Sequence, residues 1–313
     1  MWPVEQHFVR RLSALPCPTI LLAAIAARTK TLRLGMAIVQ LPLAHPLRIA
    51  EEIATLDVLS GGRVELGVGR GASPKHYENF NIPLNEGRER MVAALDYIKL
   101  AFTQDSFSYQ GRFFQAHDVC LVPRPIQRPY PPIRIAANGV ETLEFAGQQG
   151  YPILLAAHLN PLPRLSKLLP MYHAARSSRG HADATDDDIS ILLPMYLDDS
   201  QTEVKKWAEP AVNTYSELLA WNLSKVAEKL ESESERKRME LGIQKVRATT
   251  LEEMNGAMAI FDTPEACVTR LTCIRQELNA GRVICWFDFT GVIPHERVMR
   301  SMELFAVKVL PYL

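Results

Sequence analysis

The stretch Leu56-Asp57-Val58-Leu59-Ser60-Gly61-Gly62-Arg63-Val64-Glu65-Leu66-Gly67-Val68-Gly69-Arg70-Gly71-Ala72 decides the fold class of this chain. Ile49, Ile53, Leu56 and Leu59 fall at helical spacing, so a helix with one apolar face runs into it. Gly61 and Gly62 end that helix, because a left-handed terminal residue costs glycine little. Arg63 then opens a strand in which Val64, Leu66 and Val68 share one face and Glu65, Gly67 and Gly69 the other. A helix followed this closely by a strand is half of a parallel βα unit. The two glycines leave one strand face short of side chains, with room for a ligand. Arg70 follows at the strand's C-terminal end, where parallel α/β folds bind their ligands.

Two other readings compete. Gly67-Val68-Gly69-Arg70-Gly71-Ala72 formally fits the dinucleotide fingerprint Gly-x-Gly-x-x-Gly/Ala. That fingerprint must open a helix directly, whereas Ser73-Pro74-Lys75-His76-Tyr77 reads as a polar loop and the next convincing helix starts near Glu86. No strand-end acid follows at the distance a ribose needs, so the Rossmann reading fails on context. In the blander reading the glycines only permit tight strand packing and Arg70 is a structural ion pair.

A chain of 313 residues accommodates two ordinary domains or one large α/β barrel. Its formal net charge is zero, which gives no support to nucleic acid or an anionic membrane surface as a partner. Cys17, Cys120, Cys267, Cys273 and Cys285 form no C-x-x-C pair and no cluster with histidine, which suits reduced thiols in a cytoplasmic protein. No apolar run is long enough for a membrane span, and the N-terminus lacks the layout of a signal peptide.

Along the chain, Trp2-Pro3-Val4 reads as the tail of a strand running into Glu5-Gln6-His7-Phe8. An Ala-rich helix over Thr19–Thr29 and a strand over Leu32–Leu41 follow, the latter near-continuously apolar as in strands buried on both sides. His45, before Pro46, reads as a hydrogen-bonding residue at the start of the next helix. Beyond the glycine strand come a helix from Glu86 to about Phe102 and a hairpin from Phe107 to Phe114. Pro123 to Pro132 cannot be helical. Strands are expected over Ile133–Ala137, Pro152–Ala157, Ile189–Leu197 and Arg282–Phe289, each followed by a helix. From Gln201 to about Met254 the chain reads as helical and increasingly charged, a lid-like insertion at 201–258 in a single domain spanning 1–313. Glu231 to Arg238 reads as a solvated stretch. The alternation favours a (β/α)8 barrel over an open sheet. Only seven strands are counted, so the first strand and helix of the barrel are expected before Met1.

The order of several segments resembles the bacterial-luciferase-like flavin monooxygenase family. They are Glu5-Gln6-His7-Phe8, Ala26-Ala27-Arg28-Thr29, Leu41-Pro42-Leu43-Ala44-His45-Pro46, the opening stretch itself, and Pro123-Arg124-Pro125-Ile126-Gln127 with Pro131-Pro132-Ile133. The resemblance covers Met1 to about Pro161 and is weaker beyond, through Thr263-Pro264-Glu265 and Pro294-His295-Glu296-Arg297-Val298.

The resemblance implies a luciferase-like TIM barrel, commonly a homodimer through the helices at Thr19–Thr29 and Pro46–Ser60. It implies an enzyme that takes reduced FMN (FMNH2) from a separate flavin reductase and oxygenates a small organic substrate with O2 through a flavin (hydro)peroxide. Arg70 would contact the flavin phosphate, with Asn138, Gly139 and Thr142 as further phosphate contacts at a helix N-terminus. Ala37-Ile38 matches the place of a non-prolyl cis peptide under the isoalloxazine ring. His7 and Gln6 would face the reaction centre. Luciferases carry two consecutive histidines there and a reactive cysteine where this chain has Gly69, so light emission is not expected. The alternatives are an F420-dependent oxidoreductase of the same fold and a non-catalytic flavin-binding relative. His76 and Tyr77 read equally well as surface-loop residues, His158 as a pocket residue without a partner, and Arg63 as structural, pairing Asp57. No metal site is expected.

Overall fold

In a computed structural model that describes residues 1–8, 15–228, 230 and 232–313, the chain divides into two units, Met1–Ala136 and Ala137–Leu313. Glu231, the first residue of the expected solvated run, lies outside the described residues.

The first unit contains α1 (Pro18–Arg28), β1 (Leu34–Gly35), β2 (Val39–Gln40), α2 (Pro46–Ser60), β3 (Val64–Gly69), α3 (Pro74–Asn79), α4 (Gly87–Thr103), the hairpin β4 (Phe107–Gln110) and β5 (Gln115–Val119), and β6 (Ile133–Ala136). β3 is its centre, with all six residues buried. β1 and β2 pair in parallel with its two ends, Leu34 opposite Val64 and Val39 opposite Val68. β6 pairs in parallel on the other side, with Leu66 opposite Ile133.

α2 stops where the glycines predict. Gly61 lies at φ 68° and Gly62 at φ 80°, and their N–H groups donate back to Val58 O and Asp57 O. This left-handed ending satisfies the last helical carbonyls. At the other end the His45 ring accepts a hydrogen bond from Leu47 N, so His45 is the helix-opening residue that the sequence suggested.

Three expectations need correction here. The single strand over Leu32–Leu41 is two short strands, β1 and β2, with a short 3-10 turn at Leu41–Leu43. Trp2–Val4 is not a strand, although Gly35 N and Ala37 N donate to Met1 O and Pro3 O at 2.9 and 3.0 Å. Arg63 does not pair with Asp57: its guanidinium donates to Ala26 O, Thr29 O, Leu32 O, Ser60 O and Thr29 Oγ1. Asp57 instead ties down the proline-rich crossing, accepting from Ile126 N, Gln127 N and Gln127 Nε2 at 2.8, 3.0 and 2.7 Å.

The second unit contains α5 (Val140–Gln148), β7 (Ile153–Ala156), α6 (Leu162–Ser178), β8 (Ile189–Leu197), α7 (Gln201–Ala227), α8 (Glu233–Arg247), α9 (Leu251–Ala257), β9 (Ile260–Asp262), α10 (Pro264–Leu278), β10 (Arg282–Trp286) and α11 (His295–Lys308). β8 is its spine, nine residues long and buried throughout. β7 and β10 pair in parallel with it, and β9 adds in parallel to its C-terminal end, Met195 opposite Ile260.

β9 was not expected. It is three residues long, too short for a period-two pattern, and Asn255 Oδ1 fastens its middle by accepting from Phe261 N at 2.7 Å. The expected helical run from Gln201 is formed by three helices, α7, α8 and α9. The first half of α7 belongs to the core: Val204, Ala208, Ala211, Val212 and Tyr215 pack with Tyr196, Phe261 and Phe289. Its second half pairs with α8 through a separate small cluster of Ala220, Ala227 and Ile243.

Candidate functional site

β3 delivers Arg70 at its C-terminal end. The residue is exposed, and its guanidinium makes no hydrogen bond or ion pair with any described residue. The contrast with Arg63, seven positions earlier and saturated with carbonyls, is sharp. The backbone around Arg70 is held firmly, since its carbonyl accepts from the buried Tyr77 hydroxyl. Burial pushes that phenol up to about 12, so it stays a donor. Three residues past Arg70, the Ser73 Oγ is sealed from solvent with no partner among the described residues.

Ser73-Pro74-Lys75-His76-Tyr77 is not a polar loop: Pro74–Asn79 is helical, and His76 and Tyr77 are buried. The signal was present in the sequence, as Ser followed by Pro at the first helical position is a common helix start. The glycine gap is also used differently from the expectation. A Cβ at Gly69 would collide with Ile38 Cδ1 and lie 3.2 Å from Ala136 Cβ, so the space beside Gly69 admits the Ile38 side chain. The Ala37–Ile38 peptide is cis, at the position where the resemblance placed such a bond.

Around His7 the first unit assembles a polar network that sequence reasoning missed. Glu5 Oε1 lies 2.9 Å from His7 Nε2, a carboxylate–imidazole pair. Glu5 Oε2 accepts from Gln40 N at 3.1 Å, and Gln40 Nε2 donates to Glu5 O at 3.2 Å. His76 Nε2 is 2.9 Å from His7 O and its Nδ1 is 3.1 Å from Gln40 Oε1. A neutral ring donates from one nitrogen only, and the shorter contact assigns that proton to Nε2. The His7 ring meets those of His76 and Phe80 edge-on, with centroids 5.2 and 5.1 Å away. Gln6 is half-buried, and its N–H donates to Leu15 O. Gln40 and His76 lie more than thirty residues from Glu5 and His7 in sequence, so no local pattern reveals those contacts.

Charge in this network is set by burial. The Glu5 carboxyl is raised above the usual carboxylate range by burial, opposed by its hydrogen bond to His7. His76 is pulled down to about 4 by burial, helped by the neighbouring His7 charge. His158, in the second unit, is also lowered to about 4, by burial alone. In both histidines the unfolded chain takes up a proton first, so between pH 6.5 and about 4 it binds more protons than the native state. Stability must therefore fall as pH falls through that window, with the raised Glu5 working in the opposite direction. Urea midpoints at pH 7 and pH 5 check this: the lower pH should give the lower midpoint, and His76→Asn should shrink the difference.

In the second unit, Asn138 and Gly139 lead into α5. Asn138 Oδ1 accepts from Ala156 N at 2.8 Å, and Asn138 O accepts from Asn160 Nδ2 at 3.0 Å. Asn138 thus fastens the end of β7. Gly139 is the N-cap residue without a side-chain cap, and a Cβ there would meet open space. The Thr142 hydroxyl donates to Gly139 O at 3.1 Å, which leaves its lone pairs available. Among the described residues no cluster of histidine, cysteine or carboxylate side chains could hold a metal ion.

The sequence profile of luciferase-like monooxygenases matches residues 1–279. This chain belongs to that family. It is 31% identical over 210 residues to the uncharacterized protein y4vJ of Sinorhizobium fredii, covering 67% of this chain and 59% of that protein. The chain thus spans about three fifths of the length of the curated relative it matches there. It is 29% identical over 224 residues to the oxygenase component of a flavin-dependent trigonelline monooxygenase from Acinetobacter baylyi, covering 71% of this chain and 61% of that one.

Among solved structures, the monooxygenase RslO1 from Streptomyces bottropensis superposes with a TM-score of 0.80 at 26% identity, covering 99% of this chain and 87% of that chain. The oxygenating constituent of 3,6-diketocamphane monooxygenase from Pseudomonas putida, solved with FMN, gives 0.78 at 18% identity over 100% of this chain and 88% of that chain, a likeness of fold alone. The expected α/β luciferase-like fold is therefore the fold of this chain.

Proposed function

We propose that this luciferase-like protein is the oxygenase half of a two-component flavin monooxygenase, taking reduced FMN from a separate reductase and using O2 to oxygenate a small organic substrate. The observation that carries the reading is Arg70: a guanidinium uncommitted among the described residues at the C-terminal end of a buried parallel strand, three residues in sequence before Ser73, whose sealed Oγ has no partner among the described residues. A guanidinium fork matches phosphate oxygens, and an orphan hydroxyl supplies one more donor. The residues present thus fit a phosphorylated cofactor. The name of the Acinetobacter relative, an oxygenase component, supports a reductase partner.

Reduced FMN, when bound, supplies the electrons that activate O2. The chain supplies the rest. Arg70 would hold the phosphate, and the family resemblance also assigns phosphate contacts to Asn138, Gly139 and Thr142. Ala37 and Ile38 would support the ring. Glu5 orients His7 through Nε2, which leaves Nδ1, free of hydrogen bonds to described residues, to exchange a proton with substrate. Gln6 offers a neutral amide and only hydrogen-bonds.

The helical segment 201–258 acts as a lid. Within it, the pairing of α8 with the second half of α7 stands apart from the core that holds the first half of α7. We read the protein as a homodimer through α1 and α2, where Ile20 and Leu59 are 71% and 61% exposed. Free thiols, and the absence among the described residues of any helix long and apolar enough to cross a membrane, support a cytoplasmic location.

The test is to mix the purified protein anaerobically with FMNH2 or with reduced F420, then admit O2. The reading predicts binding of FMNH2 and a rate of its oxidation that departs from that of free FMNH2. Turnover of F420 without O2 consumption contradicts it, as does FMNH2 binding that leaves the oxidation rate untouched.

A further inference from the structure

At the C-terminal end of β7, His158 stands in an aromatic setting that the cofactor reading does not use. Its ring meets Trp286, the last residue of β10, at 5.2 Å and 70°, and Tyr215 of α7 at 6.0 Å and 78°. Phe289 backs both, 6.1 Å from Trp286 and 5.8 Å from Tyr215. Trp286 and His158 are half-buried, whereas Tyr215 and Phe289 are buried. His158 and Trp286 are thus the members of this cluster that keep accessible surface.

The imidazole is held neutral by burial. Its Nδ1 is sealed from solvent and has no hydrogen-bond partner among the described residues. Edge-to-face rings present electron-rich faces, which accept an N–H better than they tolerate a bare lone pair. We assign the proton to the sealed Nδ1, which leaves the lone pair on Nε2. That nitrogen makes no hydrogen bond to any described residue, and it belongs to the part of the ring that is not sealed. The loop carrying Phe289 also carries Thr290, whose buried Oγ1 lacks a partner among the described residues. A wall with unpaired polar atoms set in aromatic surface suits a ligand that is flat and carries a donor.

We infer that this wall recognises a planar aromatic compound bearing a hydroxyl group, its ring against Trp286 and its O–H donating to His158 Nε2. The inference rests on the monooxygenase reading only in naming that compound the substrate; recognition itself needs no cofactor. Cation recognition does not follow, because among the described residues no carboxylate joins the ring contacts, and the imidazole is an acceptor of one bond. A site built to accept a hydroxyl rejects the analogue that lacks it, since the buried acceptor is then left unmade.

Calorimetric titration of the cofactor-free protein with 4-ethylphenol, its methyl ether 4-ethylanisole, and ethylbenzene tests this. The wild type should bind the phenol about tenfold or more tightly than the ether, which keeps the ring and loses the donor. His158→Phe should bring the two affinities together while ethylbenzene binding persists. His158→Gln, which keeps an acceptor, should retain part of the preference, and it covers the case in which His158→Phe fails to fold.

Equal binding of phenol and ether by the wild type overturns the inference. So does an unchanged preference in folded His158→Phe, or no binding of any probe. A wild type that binds FMN but shows no preference for the phenol defeats this inference alone. A preserved phenol preference with no FMN binding defeats the flavin reading alone.

Discussion

Glu65→Ala should cost about 3–5 kcal/mol of folding stability, the range for removing one member of a buried ion pair. Glu65 lies within β3 with no exposed surface, accepting from Arg33 Nε at 2.6 Å and from Arg134 Nε at 2.9 Å. Arg134 is 1% exposed, so its charge cannot turn to water when the carboxylate goes. The Arg33 side chain is 46% exposed and rehydrates, which makes the Arg134 bond the costly one. Gly67 lies opposite Arg134 in the β3–β6 register, which seats the pair within the sheet.

The double variant Glu65→Leu with Arg134→Met should recover much of the loss, because an apolar pair of similar volume replaces the ions without leaving either behind. Urea unfolding monitored by circular dichroism reads both. A change within 0.5 kcal/mol for Glu65→Ala would mean that the first unit does not depend on this pair.

Arg70→Ala should weaken binding of reduced FMN by roughly 100-fold while leaving the urea midpoint unchanged. Two hydrogen bonds to a charged phosphate are worth about 1.5–3 kcal/mol each, and the exposure of Arg70 argues for the lower end, about 3 kcal/mol in all. Stability should not move, because the guanidinium holds nothing in the described protein. Arg70→Lys keeps the charge but not the planar fork, so it should fall between. Anaerobic fluorescence titration separates the three proteins.

Much of this architecture could be read from the chain, and the reasons are local. Gly61 and Gly62 stop α2 in the left-handed conformation their residue type invites, and Val64, Leu66 and Val68 mark β3. Ile189–Leu197 falls on its predicted bounds because a long buried apolar run is unambiguous. Patterning fails where an element is too short to show a period, as at β9, or where polar letters hide a buried turn, as at α3.

The site divides in the same way. Arg70 and His7 stand within segments that match the family, and Ala37 and Ile38 at a place the resemblance assigns, so it was resemblance that nominated them. Gln40 and His76 come to His7 only through the fold: their bonds join residues 36 and 69 positions apart. His158 was visible as a strand-end residue, but its aromatic company arrives from α7 and β10, more than fifty residues later.

The central claim is that Arg70 holds a cofactor phosphate, and it is tested most directly by comparing two flavins that differ in that group alone. Dissociation constants for reduced FMN and reduced riboflavin, measured on the wild type and on Arg70→Ala, complete the square. The account predicts that the preference of the wild type for FMN over riboflavin shrinks by roughly 100-fold in the variant, with riboflavin binding unmoved. If the substitution weakens both flavins equally, or neither, the guanidinium does not touch the phosphate.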